Sequence, residues 1–174
     1  MFLVWDFDKE EKWLNEMAAK GLALTSVGFC KYEFEDCVPG EFRIGMELLK
    51  DLPQSVEGSK YIEFVEETGA EHVGTLMRWV YFRKKTADAD FRLFSDNTSR
   101  IEHLTRIIAL VAVVLAVNLY FVLYDAYMFF ASSHSSAFVA AGTINLLFAA
   151  IAAFGVVRLL QKRKRLKSES EIFE

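Results

Sequence analysis

Few of the 174 residues are of types that do chemistry, and their spacing is unhelpful to catalysis. Asp6-Phe-Asp8 is a D-x-D string of the kind that holds a metal in some glycosyltransferases, but Asp8 reads better as the cap of a following helix. Cys30 and Cys37 are separated by six residues, which matches neither a C-x-x-C redox pair nor a zinc knuckle; they read as two ordinary thiols. His72, His103 and His134 do not cluster, and Glu10-Glu11 and Glu66-Glu67 read as solvated helix faces. No phosphate loop, dinucleotide fingerprint, zinc-protease helix or nucleophile elbow occurs. The sequence therefore assigns no catalytic, metal-binding or cofactor-binding residue, and the chain is expected not to be an enzyme.

The other chemically suggestive residues lie where polar groups are costly. From Ile107 to Val157 the only formally charged side chain is Asp125. Two spans fit this block, 107–130 and 137–157, each long enough at ~1.5 Å per residue to cross about 30 Å of hydrocarbon. Asp125 lies 19 residues beyond Arg106, roughly 28 Å along a helix, so it is expected near the outer interface, ringed by Tyr120, Tyr124 and Tyr127. It reads as a hydrated interfacial carboxylate, with an ion-linked or pairing role as the alternative. Asn118 and Asn145 fall at similar depths and are expected to bond across the hairpin; with Asp125 and Gly142 they are the candidate interhelical contacts. Ala109, Ala112 and Ala116 form a second, nearly opposite face. One face should close the hairpin and the other should meet a second chain or a partner, unless the two helices pack only on each other.

The flanks orient the spans. The turn at 131–136 carries no Lys or Arg, whereas Arg100 and Arg106 precede the first span and Arg158, Lys162, Arg163, Lys164, Arg165 and Lys167 follow the second. By the positive-inside rule both termini are expected on the cytoplasmic side of the cell membrane. The opening Met1-Phe-Leu-Val-Trp-Asp-Phe-Asp lacks the basic n-region and apolar run of a signal peptide. Arg158 and Lys162 to Arg165 are expected to meet anionic lipid headgroups. Met1–Arg106 has 20 acidic and 14 basic residues, a balance of −6, which excludes a general nucleic-acid binder.

Stepping from residues to elements, 1–85 reads as a cytoplasmic α+β domain. A strand is expected at Phe2–Trp5, then a helix to Lys20 stopped by Gly21, and strands at Leu22–Val27, Lys31–Glu35 and Glu41–Leu49. Asp36 to Gly40 reads as a hairpin turn between the last two of these. A helix over Gly58–Thr68 and a strand over Glu71–Arg83, interrupted near Gly74, complete a ferredoxin-like variant: an antiparallel sheet with two helices on one face, then a two-helix transmembrane hairpin. Residues 86–106 form a connector with an apolar knot at Phe91, Leu93 and Phe94, leading into a helix from about Asn97 capped by Ser95, Asp96 or Ser99; 158–174 is a basic tail. An open sheet face lined by Tyr32, Phe34, Trp79 and Tyr81, with Arg78 and Arg83 beside it, is the candidate partner surface, although most of these aromatics should be core.

The stretches from Trp5 to Gly21, including Trp13-Leu-Asn-Glu-Met-Ala-Ala-Lys-Gly21, Glu66-Glu-Thr-Gly-Ala70, Met77-Arg-Trp-Val-Tyr-Phe-Arg-Lys-Lys85 and Leu93-Phe-Ser-Asp96 resemble the bacterial domain of unknown function 2812 over Met1–Arg106. The resemblance implies a cytosolic domain followed by hydrophobic segments, mostly in Gram-positive bacteria, often encoded beside a PadR-like regulator, and it implies no catalytic residues. The start is short against the family pattern, so a curtailed first strand is expected. Together these readings point to a regulatory or sensory membrane protein without cofactor, with a protein partner in the cytoplasm or membrane and with self-association left open. An accessory subunit of a transport or efflux system, joined through the Asn118/Asp125 face, is the alternative.

Overall fold

The computed structural model describes residues 3–29, 31–86, 97–131 and 135–172, and the chain divides into two compact units, Met1–Ser99 and Arg100–Glu174. The first opens on a 3-10 turn, Val4–Asp6, followed by α1 (Phe7–Ala19), β1 (Leu22–Gly28), β2 (Lys31–Asp36), β3 (Phe42–Leu48), α2 (Val56–Glu67), β4 (Glu71–Leu76) and β5 (Trp79–Lys85). The second consists of α3 (Asn97–Ala131) and α4 (Ser136–Ile172). The α+β class, the antiparallel strands, the two helices and the pair of long apolar helices are as the sequence reads.

Several local expectations change. Val4 to Asp6 turns instead of extending, and α1 begins at Phe7, so Asp8 lies in the first helical turn rather than capping it. Its carboxylate still favours the helix by facing the positive end of the dipole. The segment from Glu71 to Arg83 is two strands, because the chain reverses at Met77-Arg78. The loop at Asp36 to Gly40 does not join a hairpin: β2 pairs with β1, and β3 pairs with β5. That loop is held instead by the α1–β1 turn, where Cys37 N–H donates to the Gly21 carbonyl at 2.9 Å and Gly40 N–H to Ala18 at 3.0 Å. Ser99 lies inside α3 rather than at its cap; Ser95, Asp96 and the apolar knot of the connector fall outside the described residues.

Two ladders, β1-β2 and β3-β5-β4, make up the strands. They meet through β1 and β4, which run side by side in the same direction. Arg83, opposite Glu71 in the β4-β5 register, reaches the Leu24 carbonyl of β1 at 3.1 Å, and three residues further along both strands Gly74 backs onto Val27. A Cβ on Gly74 would stand 3.0 Å from the Val27 nitrogen, so the approach requires glycine there.

The helices take opposite faces of β3 and β5, not one. Along β5, Tyr81 faces α1, while Val80 and Phe82 join Leu49, Val65 and Ala70 under α2. Alternation along a strand makes this possible, and it explains why β3 is buried on both sides, from Ile44 to Leu48. Buried Glu47 is satisfied on the α2 face by the Tyr61 hydroxyl at 2.5 Å. On its other side α1 closes the free edge of β3: Asn15 accepts from Ile44 N–H at 3.0 Å and donates to the Ile44 carbonyl at 2.8 Å, blocking further strand pairing. Ser55 caps α2 through Gly58 N–H, and a Cβ at Gly58 would lie 2.1 Å from the Leu52 carbonyl oxygen, so glycine is obligatory in this knot.

Both helices of the second unit are long and apolar enough to cross a membrane. Many of their large side chains, among them Leu123, Phe130, Leu147 and Phe154, lie outward, while Leu104, Ile107, Ala149, Ala152 and Leu159 are buried. Large apolar side chains displayed outward are what a helix pair in lipid presents. Ser135 starts α4, its carbonyl accepting from Phe138 N–H at 3.2 Å. His134 falls outside the described residues.

Candidate functional site

The domain is organised around a buried carboxylate. Phe7, Glu10, Leu14 and Ala18 recur at three- and four-residue steps and form the buried stripe of α1, which carries Glu10 into the domain. Its Oε1 accepts from the Tyr32 hydroxyl at 2.7 Å and from the Tyr81 hydroxyl at 2.8 Å. Burial, and then the negative charge of Glu10, push the Tyr81 phenol well above its ordinary 10.0, so it stays a neutral donor. Trp13 packs edge-on against Tyr32 and Phe34, with ring centroids at 5.4 and 5.9 Å, and Phe7 sits 5.9 Å from Trp79. α1 therefore covers part of the face expected from Tyr32, Phe34, Trp79 and Tyr81: Tyr81 is buried, while Tyr32, Phe34 and Trp79 are half-buried.

The two arginines expected beside that face are also engaged. Arg78 donates through Nε to the Leu49 carbonyl at 3.0 Å and through Nη2 to the carbonyls of Leu49 and Lys50, which pins the β4–β5 turn to the end of β3. Arg83, only 12% exposed in its side chain, donates to both carboxylate oxygens of Glu71, to Glu35 at 2.6 Å and to the Leu24 carbonyl, with the Phe42 ring 4.9 Å away. It thus touches all five strands. Burial works against its charge, but the hydrogen bonds and charges of Glu71 and Glu35 outweigh this and hold its pKa above the ordinary value. These are structural roles, and a sequence shows only that the arginines are near aromatics.

In the hairpin, the amide of Asn145 donates to Asp125 Oδ2 at 3.0 Å. Asp125 is 7% exposed, and Gly142 leaves room for it: a Cβ there would meet the Asp125 Cβ at 3.4 Å. The expected Asn118–Asn145 pairing is not formed. Asn118 instead donates to its own helix, to the Val114 carbonyl at 2.8 Å. Asp125 thus lies inside the helix pair, as a pairing role for it requires, while Asn118 is half-buried and makes no bond across the pair among the described residues. Ala109 and Ala116 are exposed.

The remaining chemical candidates are spread out. Cys37 is a half-buried free thiol whose pKa is raised by burial and then by Glu41. Cys30 is outside the described residues. His72 contacts the Thr75 hydroxyl at 2.9 Å, and Asp6 pairs with Lys9 at 2.9 Å. Among the described residues no three His, Cys, Asp or Glu side chains gather as metal ligands would. Arg158 and Lys162 to Arg165 continue along α4 without a break in the helix.

The sequence reading passed over one feature, an apolar end of the domain. Phe29 at the β1–β2 tip is 86% exposed and Met77 at the β4–β5 tip is 83% exposed. The available signal was two large hydrophobes in short reversals, Gly28-Phe29-Cys30-Lys31 and Leu76-Met77-Arg78-Trp79, where polar turn residues are usual.

No curated protein and no solved structure is significantly similar to the chain. The family model described as "Protein of unknown function (DUF2812)" matches residues 6–116, which takes in the α+β domain and the first part of α3. The chain belongs to that family.

Proposed function

We propose that the chain is a non-enzymatic membrane component: a two-helix anchor with both termini in the cytoplasm, carrying an α+β domain that works by binding. The observation that carries this reading is the contrast between chemistry and surface. Glu10, Tyr81, Arg78 and Arg83 are used up in internal bonds, while two large hydrophobes project from adjacent loop tips. Apolar groups offered together to solvent mark interaction surfaces. The binding surface is accordingly the loop-tip end of the domain, and the basic run from Arg158 to Arg165 holds the tail at anionic headgroups. A regulatory or sensory role, with a PadR-like regulator as the associated protein, follows from the family resemblance.

Resistance of the full chain to alkaline carbonate extraction from cell membranes tests the anchor; release into the supernatant would refute it. Phe29→Ser with Met77→Ser, combined in one chain, should abolish the slowing of amide exchange around Gly28–Lys31 and Leu76–Trp79 expected of the membrane-reconstituted wild type, while leaving the fluorescence-monitored melting of the domain unchanged. Unchanged protection of these loops in that variant would refute the binding surface.

A further inference from the structure

Because β1 and β4 run side by side in one direction, their distal loops emerge at the same end of the domain. Phe29 follows Val27 by two residues and Met77 follows Gly74 by three, so the two side chains leave from neighbouring strands. Both are almost fully exposed among the described residues. Met77 is also the one non-glycine residue with positive φ among the described residues, at 56°. Positive φ at the first central residue of a two-residue hairpin loop is the place where glycine is favoured. A methionine held there, fully displayed, is a backbone strain with no packing return inside the chain.

The same end gathers most of the domain's exposed apolar side chains. The turn before α1 brings Leu3 and Val4, since Phe7 packs on Trp79 at the start of β5. The entry to α2 brings Leu52 and Val56, since Leu49 and Lys50 are bonded to Arg78. Of the eight large apolar side chains exposed on the domain among the described residues, six lie here; Val38 is at the opposite end and Phe64 on α2. Lys31, Lys50 and Arg78 stand around the tips, with Glu33 on Lys31 and Asp51 next to Lys50.

We infer that this end is a bilayer contact: Phe29 and Met77 enter the headgroup and upper acyl region of the membrane that the hairpin spans. The inference rests on the membrane-anchored reading above and names the partner of its binding surface. Lipid is favoured as occupant by tethering. A surface attached to a membrane span meets that membrane at high effective concentration, so even a small apolar contact is populated. The chain length permits it. Thr86 leaves the domain at the far end, bonded to Gly40 and Glu41, roughly 23 Å from the tips for a seven-residue strand. Residues 98–106, ahead of the apolar span at 107–130, make about 13 Å of helix on the domain's side, and the ten residues 87–96 could reach up to about 35 Å. The cations at the tips are nearly balanced by Glu33 and Asp51, so the contact is apolar first and depends weakly on lipid charge.

The test uses the full chain with Cys30→Ser and Cys37→Ser, reconstituted in phosphatidylcholine vesicles containing phosphatidylglycerol. Single Phe29→Cys, Met77→Cys and Val38→Cys variants carry an environment-sensitive fluorophore, with and without doxyl-labelled lipid. At positions 29 and 77 the emission should be blue-shifted and quenched at least about twofold by the doxyl lipid, while position 38 stays water-like. Equal, water-like behaviour at all three positions overturns the inference. Blue shift without lipid quenching also overturns it, since protein, such as a second copy of the chain, then covers the tips. Carbonate extraction of the same vesicles separates these failures from loss of the anchor itself. Should the substituted cysteines disturb folding, hydrogen exchange of the unsubstituted chain in lipid reads the same tips.

Discussion

The domain and the hairpin treat buried polar groups differently. In the domain, Arg83 has four acceptor atoms from Glu71, Glu35 and Leu24, and Glu10 has two phenol donors on one oxygen. In the hairpin, Asp125 has a single amide, Asn145, and Asn118 falls back on its own backbone. In water-exposed folding, removing a partner of a buried group such as Glu10 leaves it desolvated against a fully hydrated unfolded state, so loss of one partner is costly whatever the net contribution of the intact network. Within lipid, the separated helices find substitute partners of their own, and an interhelical bond contributes little. The lesson is that a polar residue in an apolar stretch draws the eye in a sequence, whereas the energetically decisive polar residues are in the domain.

The sharpest way to break this comparison is Arg83→Met. It should destabilise the domain by about 2–3 kcal/mol, because the Leu24 carbonyl loses its donor and the two ladders lose their shared tie, whereas the half-exposed Glu35 and Glu71 rehydrate. The readout is clean, since Trp5, Trp13 and Trp79 all lie in the domain and their fluorescence reports its unfolding alone. Tyr81→Phe comes next, at about 2 kcal/mol, the loss of one buried hydrogen bond to a carboxylate.

The same phenol sets an alkaline limit. Its pKa is raised in the folded state, so its contribution to stability is complete below pH 10, where the unfolded phenol is still protonated, and declines above it as the unfolded chain ionises. Urea midpoints should therefore fall with rising pH above 10 in the wild type. They should fall less steeply in Tyr81→Phe.

The hairpin substitutions should be milder. Asp125→Leu should weaken helix association by about 0.6 kcal/mol, measured by energy transfer between labelled helices during detergent titration. Asn118→Leu should change it by less than about 0.5 kcal/mol, its amide being satisfied within α3. A larger effect at Asn118 than at Asp125 would reverse the reading of the hairpin seam.

How much was legible in the sequence follows the same division. The spans, and most strand and helix positions, follow from hydropathy and period, which local residues carry. The pairing of β2 with β1 rather than β3 was not legible, because it depends on Cys37 and Gly40 bonding back to the α1–β1 turn. Tyr32, Phe34, Trp79 and Tyr81 read as one aromatic group, but how far a helix covers them depends on Glu10, which reads as one more surface acid beside Glu11. Asp125, Asn145 and Gly142 were legible as interhelical candidates, but which amide meets the carboxylate is fixed by the register of the second helix, through the space at Gly142. The Phe29/Met77 end required knowing that β1 and β4 are parallel neighbours, a non-local fact.

The central claim is that the domain's working surface is its loop-tip end and that this end rests on lipid. Hydrogen exchange of the unsubstituted full chain, compared between detergent micelles and lipid nanodiscs, tests it most directly. Amides around Gly28–Lys31 and Leu76–Trp79 should exchange more slowly in nanodiscs, while those around Cys37–Glu41 at the opposite end stay unchanged. Identical exchange at the tips in both environments would contradict it.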